Sequence, residues 1–274
     1  MNEDGEKDRA AWPVRILTLF PEMIRQAAAH SIIGRASESG LLDVRAIDIR
    51  DFTFDKHKTA DDVPFGGGPG MVMKPEPLAG AIRAAKAELP GAPVVLMSAS
   101  GRLFNQATAR RYAFNPAGLI IVCGHYEGVD ERIAVHFCDE EICVGDYVLS
   151  GGELPALTVM DAAARLIPGV LGNAGSLDQE SHDDLTLEYP QYTRPRDFEG
   201  YAVPEVLFSG NHAAIAKFRR EQALVKTARN RPDYAGERVG PLTAGGSEES
   251  GAVPVEAGNR TTGVPAGWGR PDDK

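Results

Sequence analysis

The chain has 274 residues, 29 basic and 39 acidic, for a formal charge of -10 and a sequence pI near 5.1, which on its face argues against a nucleic-acid partner. Its 43% hydrophobic and 25% charged residues are those of a soluble globular protein with one large domain, or a domain plus a smaller one. Cys123, Cys138 and Cys143 are too sparse for a disulfide framework, the polar start MNEDGEKDRA is unlike a signal peptide, and no apolar run approaches the ~20 residues of a membrane span, so the expected location is the cytoplasm.

Residues 1–11 read as a flexible amino terminus. From Val14 to Ile167, short β-branched runs alternate with helical stretches, the pattern of an α/β fold with a mostly parallel sheet. The runs are Val14–Leu19, Leu42–Ile47, Pro93–Met97, Leu119–Cys123 and Glu141–Val144. Three of them lead into loops of unusual composition, SASG after Met97, GHYEG after Cys123 and GDYVLSGGELP after Val144. Ligands of open α/β sheets bind at that edge. A helix is expected over Pro155–Leu166, with proline in its first turn and Pro168 and Gly169 beyond its end.

The character then changes. Residues 172–188 are polar and acidic and read as a linker between a domain over 12–171 and a small helical one over 189–240. In the latter, Asn211 is positioned to cap a helix whose Ile215, Phe218, Leu224 and Val225 suit a buried stripe. Residues 241–274, rich in glycine and proline and poor in large apolar side chains, read as a disordered tail.

Individual motifs are weak. PFGGGPGM, Pro64 to Met71, resembles a phosphate loop but lacks the lysine and hydroxyl of a Walker motif and the spacing of a dinucleotide fingerprint. The preceding Lys56, His57 and Lys58 form a local positive cluster, either a solvated loop or a phosphate contact. His125, His136, Cys138 and Cys143 lack metal-ligand spacing, and Cys123 and Cys143 suit the ends of buried strands. Ser150 lacks the glycine of a nucleophile elbow. Asp161 and Arg165, four apart on the expected helix, read first as a surface ion pair. Asp178, Glu180, Asp183 and Asp184 read first as solvated linker acids. Residues 217–231 carry six basic side chains against Glu221, a solvated helix or a phosphate-binding surface. From residues alone, a phosphotransferase using the 66–70 glycines, or an RNA-binding protein without catalysis, stays open.

Taken together, LTLFPEM, DIRDFT with GGGPGM, CGHYEGVDER, VGDYVLSGGELPA, ARLIPGVLG, YPQYTRP and VLFSGNHAAI resemble the bacterial tRNA (guanine-37-N1)-methyltransferases of the trefoil-knotted SPOUT class, in the family's order over about residues 14–232. The resemblance implies a knotted, S-adenosylmethionine-binding domain and methylation of N1 of guanosine-37 in tRNAs with guanosine at 36, by a homodimer with active sites at its interface. By motif position, Gly124 and Val144, Gly145, Asp146, Tyr147, Val148 and Leu149 carry the cofactor contacts, with Met97, Ser98, Tyr126, Glu127, Gly151 and Gly152 in the same loops. Arg165 falls on the family's functional arginine. Glu180 stands where the family has its catalytic aspartate, so the base is expected to be Glu180, with Asp178 the alternative. No metal site is expected in the protein, and a Mg2+ dependence on the RNA side is compatible with the resemblance.

The charge is also unevenly spread. Residues 127–188 hold fourteen acidic and two basic residues, a region suited to a cationic sulfonium, whereas the basic 217–231 stretch is expected to meet tRNA phosphates.

Overall fold

The computed structural model describes residues 10–172, 181 and 186–234. The amino-terminal segment 1–9, most of the linker with Asp178, Glu180 and His182, and the tail lie outside the described residues.

The five expected strands form one sheet. They are β1 (Trp12–Thr18), β2 (Leu42–Asp48), β5 (Val94–Leu103), β6 (Leu119–Cys123) and β7 (Glu140–Cys143), in the order β2-β1-β6-β5-β7 with every neighbour parallel. The central runs ILT of β1 and LIIVC of β6 are buried at every position. That is why they read as unbroken apolar sequence: a parallel sheet is covered on both faces. The edge strand β2 carries polar residues between its apolar ones.

Successive side chains of a strand point to opposite faces, so β6 feeds two cores. Leu119, Ile121 and Cys123 join Ile24, Ile33, Tyr112, Val159 and Met160. These come from α1 (Pro21–Ala28), α2 (Ser31–Glu38), α4 (Gln106–Ala113) and α6 (Glu153–Ala164). Ile120 and Val122 join Leu78, Ile82 and Ile133, from α3 (Pro75–Glu88) and α5 (Glu131–Phe137). A short hairpin, β3 (Asp61–Asp62) with β4 (Val72–Met73), brackets the glycine-rich segment.

Among the boundaries that differ from expectation, two shape the site. Strand β5 does not end at Met97. Its Met97 and Arg102 both pair with Ile142, so Ser98–Gly101 bulges out and the chain rejoins the same partner strand. Helix α6 starts two residues early, at Glu153, because Gly152 already accepts its first intrahelical bond, from the amide of Ala156 at 2.9 Å.

Beyond residue 186 the elements are the hairpin β8 (Asp197–Phe198) with β9 (Tyr201–Ala202), a 3-10 turn over Glu205–Phe208, and α7 (His212–Asn230). Asn211 caps α7 as expected, its side chain accepting from the Ala214 amide at 3.1 Å. The buried stripe is a correction. Leu224 and Val225 are exposed and only Thr227 is buried on this helix, because the described residues around it form one small hairpin and one turn, too little to cover a nineteen-residue helix.

One charged residue lies inside the sheet layer. Arg15 on β1 is 3% exposed; it donates to Asp43 Oδ2 at 2.9 Å, to Glu88 Oε2 at 2.6 Å and to the carbonyls of Val14 and Asp43. Burial raises the Asp43 pKa, but Arg15 and Arg45 outweigh it and hold the carboxyl below its ordinary value. A depressed carboxyl stabilises the fold above its unfolded pKa of about 3.9, and that contribution is lost as pH falls through the folded value. Arg15→Ala is therefore expected to lower stability by roughly 2 kcal/mol, below the range for fully buried pairs because both carboxylates reach solvent. Urea unfolding at pH 7 and below pH 4 checks this: the deficit relative to wild type should shrink in acid.

Candidate active site

The carboxyl ends of β5, β6 and β7 deliver three loops to one place. The middle loop begins at Gly124, whose carbonyl accepts from the Gly152 amide at 2.8 Å, and His125 pairs with Gly151 in an isolated antiparallel bridge. Loops after β6 and β7 are thus joined backbone to backbone. That approach requires glycine: a Cβ on Gly152 would sit 2.7 Å from Cys123 Cα and 2.9 Å from the Gly124 nitrogen. The β5 bulge closes the third side, with Ser98 Oγ and Ser100 Oγ 2.8 Å apart.

Between the loops lies a cleft of ≈ 410 Å³, within the roughly 300–1,000 Å³ of small-molecule pockets. Met97, Ser98, Gly124, Tyr126, Glu127, Val144, Gly145, Tyr147, Val148, Leu149, Gly151 and Gly152 all line it. Asp146 belongs to the same loop but is exposed and does not line the cleft. Val148 is 84% and Tyr147 59% exposed, so one wall faces solvent in a single chain. Three carboxylates, Glu127, Glu131 and Glu141, border the space, and no lysine or arginine lines it. Such a site favours a ligand that is cationic and partly apolar.

The glycine-rich loop abuts this cleft. Gly70 has φ +83, and a Cβ there would overlap the Glu127 side chain. The Glu127 amide donates to the Met71 carbonyl at 3.0 Å, and the Met73 amide to the Gly128 carbonyl at 3.0 Å. A strand, β4, follows the glycines rather than a helix, so the segment lacks the helix amino terminus that a phosphate loop requires. In the neighbouring cluster, Lys58 is paired with Asp51 at 2.7 Å, which raises its pKa, while Lys56 and His57 are exposed.

The DER of CGHYEGVDER has a local structural role. Asp130 caps α5 through the Arg132 amide at 3.0 Å and binds the Arg132 side chain, which holds its pKa low. Cys123 and Cys143 are buried free thiols at their strand ends, as expected. Burial pushes the Cys138 thiol up to about 12. Among the described residues no three His, Cys, Asp or Glu side chains gather as a metal site.

Arg165 is not at the cleft. It closes the carboxyl end of α6, whose amino end lines the cleft through Gly152 and Pro155; a twelve-residue helix places it about 18 Å away. Motif reading missed two groups. His125, weighed only as a metal ligand, borders the cleft with its ring 5.1 Å from Phe20 and 5.0 Å from Tyr126. Glu153 is a 4% exposed carboxylate just behind the cleft wall; its position after two glycines at a helix start was the available signal.

A second concavity, ≈ 810 Å³, lies among residues 189–219 and is lined by Tyr189, Tyr192, Arg194, Arg196, Phe208 and Arg219, with other residues. The Arg196 guanidinium lies 4.1 Å from the Phe208 ring centroid and that of Arg219 4.7 Å from Tyr189. Arginines and aromatic rings in one hollow are the chemistry that meets nucleic-acid bases and phosphates.

The chain is similar to known proteins over most of its length. A family model described as tRNA (Guanine-1)-methyltransferase TrmD matches residues 13–237. A tRNA (guanine-N(1)-)-methyltransferase of Myxococcus xanthus is 57% identical over 222 residues, 81% of this chain and 90% of that protein. Proteins of the same name from Methylococcus capsulatus, 57% identical over 82% of this chain and 89% of theirs, and Geobacter metallireducens, 54% over 82% and 91%, are similarly close. No described helix is long and apolar enough to cross a membrane.

Gly152→Ala is expected to force the β6 and β7 loops apart and lower stability by roughly 1–3 kcal/mol, the scale of an overpacked core site. Gly172→Ala, where an added Cβ meets nothing within 4 Å, is the matched control. Differential scanning calorimetry of the two variants separates local crowding from a general glycine effect.

Proposed function

Because the chain belongs to the tRNA (guanine-1)-methyltransferase TrmD family, we propose that it transfers the methyl of S-adenosylmethionine to N1 of guanosine-37 in tRNAs with guanosine at 36. The observation that carries this reading is the cleft. Twelve of the thirteen residues that the family resemblance assigns to the cofactor line one space, built from three loops at the carboxyl edge of a parallel sheet.

The residues present fit that cofactor. Apolar Val148 and Leu149 offer surface to an adenine, the backbone of the 144–152 loop offers hydrogen-bonding groups, and the three bordering carboxylates favour a sulfonium. S-adenosylmethionine supplies, when bound, a methyl group already activated on a cationic sulfur. What remains for the protein is the nucleophile. Guanine N1 carries a proton near neutral pH, and that proton must leave as N1 attacks. In this reading a linker carboxylate, Glu180 with Asp178 as the alternative, accepts it, and Arg165 stabilises the negative charge that develops on O6.

A group that stabilises O6 must approach it within about 3 Å, and Arg165 lies about 18 Å along α6 from the cleft of its own chain. This separation supports a homodimer in which Arg165 of one copy serves the cleft of the other. The exposed Tyr147 and Val148 of the cleft wall suit burial in such an assembly. The trefoil knot expected of the class belongs to the same proposal. So does a tRNA-binding role for the 189–240 segment, supported by its arginine and aromatic hollow.

Isothermal titration with S-adenosylmethionine and a methyl-transfer assay on tRNA with G36 and G37 test the reading. Glu180→Gln is expected to cut kcat by a factor of about 100 or more, the usual worth of a general base, with cofactor Kd changed less than twofold. Unchanged turnover would move the base role to Asp178, and absence of cofactor binding by the wild-type protein would overturn the reading.

A further inference from the structure

LTLFPEM, the first of the family strings, takes no part in the mechanism above, yet its threonine meets the other unassigned group near the cleft. Thr18, at the carboxyl end of β1, is fully buried, and Glu153, the first residue of α6, is 4% exposed. Thr18 Oγ1 donates to Glu153 Oε1 at 2.7 Å and accepts from the Phe20 amide at 2.8 Å. Both hydrogen-bonding functions of the hydroxyl are therefore engaged, and its direction is set by the backbone turn between β1 and α1.

The carboxylate is in turn packed under the cleft wall. A Cβ on Gly151 would lie 2.5 Å from Glu153 Oε2 and 3.0 Å from His125 Cδ2, so the Gly151 backbone packs directly against both side chains. The next residue, Gly152, carries the amide that joins the β6 and β7 loops. The Glu153 charge also reaches the end of β6, where, after burial, it helps to raise the Cys123 thiol pKa.

We propose that Glu153, anchored by Thr18, is a positioning residue: it sets the Gly151–Gly152 segment against Gly124 and thereby shapes the cofactor wall. The inference rests on the methyltransferase reading for its ligand and on the geometry alone for its mechanics. An apolar side chain would fill the same volume without the desolvation of a carboxylate. What the carboxylate adds is a directed contact of fixed length from the start of α6 to the end of β1, two strands away from β5 in the sheet. A negative charge in the first turn of a helix is also favoured by the helix dipole.

The test uses the full chain with Thr18→Val, which keeps the shape and removes the donor, and Thr18→Ser, which keeps the donor and removes a methyl. Thr18→Val is expected to weaken S-adenosylmethionine binding about tenfold, as expected when a buried carboxylate loses its partner, with KM for tRNA within twofold. It should also speed hydrogen exchange at the Gly152 amide. Thr18→Ser is expected to restore both the affinity and the protection. The proposal is overturned if Thr18→Val binds the cofactor and protects Gly152 as wild type does, or if Thr18→Ser is as impaired as Thr18→Val. Should Thr18→Val fail to fold, Thr18→Ala, which also removes the donor to Glu153, decides against Thr18→Ser: weaker cofactor binding and faster Gly152 exchange in Thr18→Ala alone uphold the hydroxyl's role, and equal behaviour of the two variants removes it. Failure of wild-type protein to bind S-adenosylmethionine would instead defeat the methyltransferase reading, while the Gly152 exchange comparison would still decide the positioning role.

Discussion

The backbone of Gly152 lies so close to Cys123 and Gly124 that a single added Cβ would fall within 3 Å of both. This approach lets the loops after β6 and β7 meet, and the cleft exists because they meet. It also sets where α6 begins, since Gly152 accepts the bond from Ala156 that opens the helix. From that origin the length of α6 fixes where Arg165 stands. A contact between two backbones at the sheet edge therefore governs both the pocket and the remoteness of the arginine from it.

The supports of this contact are polar and buried, which is unusual enough to need a reason. Thr18 and Glu153 are both buried, and buried polar groups are tolerated when each is hydrogen-bonded. Around them the two faces of the sheet are filled by close-packed aliphatic side chains, whose packing is non-directional. Apolar burial holds the strands together; it does not specify the angle at which a glycine segment leaves one of them. The hydrogen-bonded pair supplies direction where the core supplies only cohesion.

Charge is distributed in the same divided way. Carboxylates border the cleft and no lysine or arginine lines it, whereas arginines line the hollow among residues 189–219. A net charge of -10 is therefore compatible with one surface for a cation and another for a polyanion, because ions respond to nearby charge over about a Debye length of 8–10 Å rather than to the sum over the chain. In the methyltransferase reading those two ligands are the sulfonium cofactor and the tRNA.

The parallel sheet was legible residue by residue, since strands such as Leu119–Cys123 are buried on both faces and must be apolar throughout. So was the Asn211 cap, a local interaction within three residues. The cleft loops were legible as strings whose meaning came from resemblance, and twelve of the thirteen residues so assigned converge. The rejoining of β5 to Ile142 after its bulge, the exposure of Leu224 and Val225, and the pairing of Thr18 with Glu153 were not legible. Thr18 and Glu153 are 135 positions apart, and no periodicity connects residues at that distance. The sequence by itself determined which segments are apolar enough to be strands and which carry glycine where backbone must pass close. Only the tertiary structure decided which of those segments face one another, because that choice depends on strand order and loop convergence, properties of the whole chain rather than of any window along it.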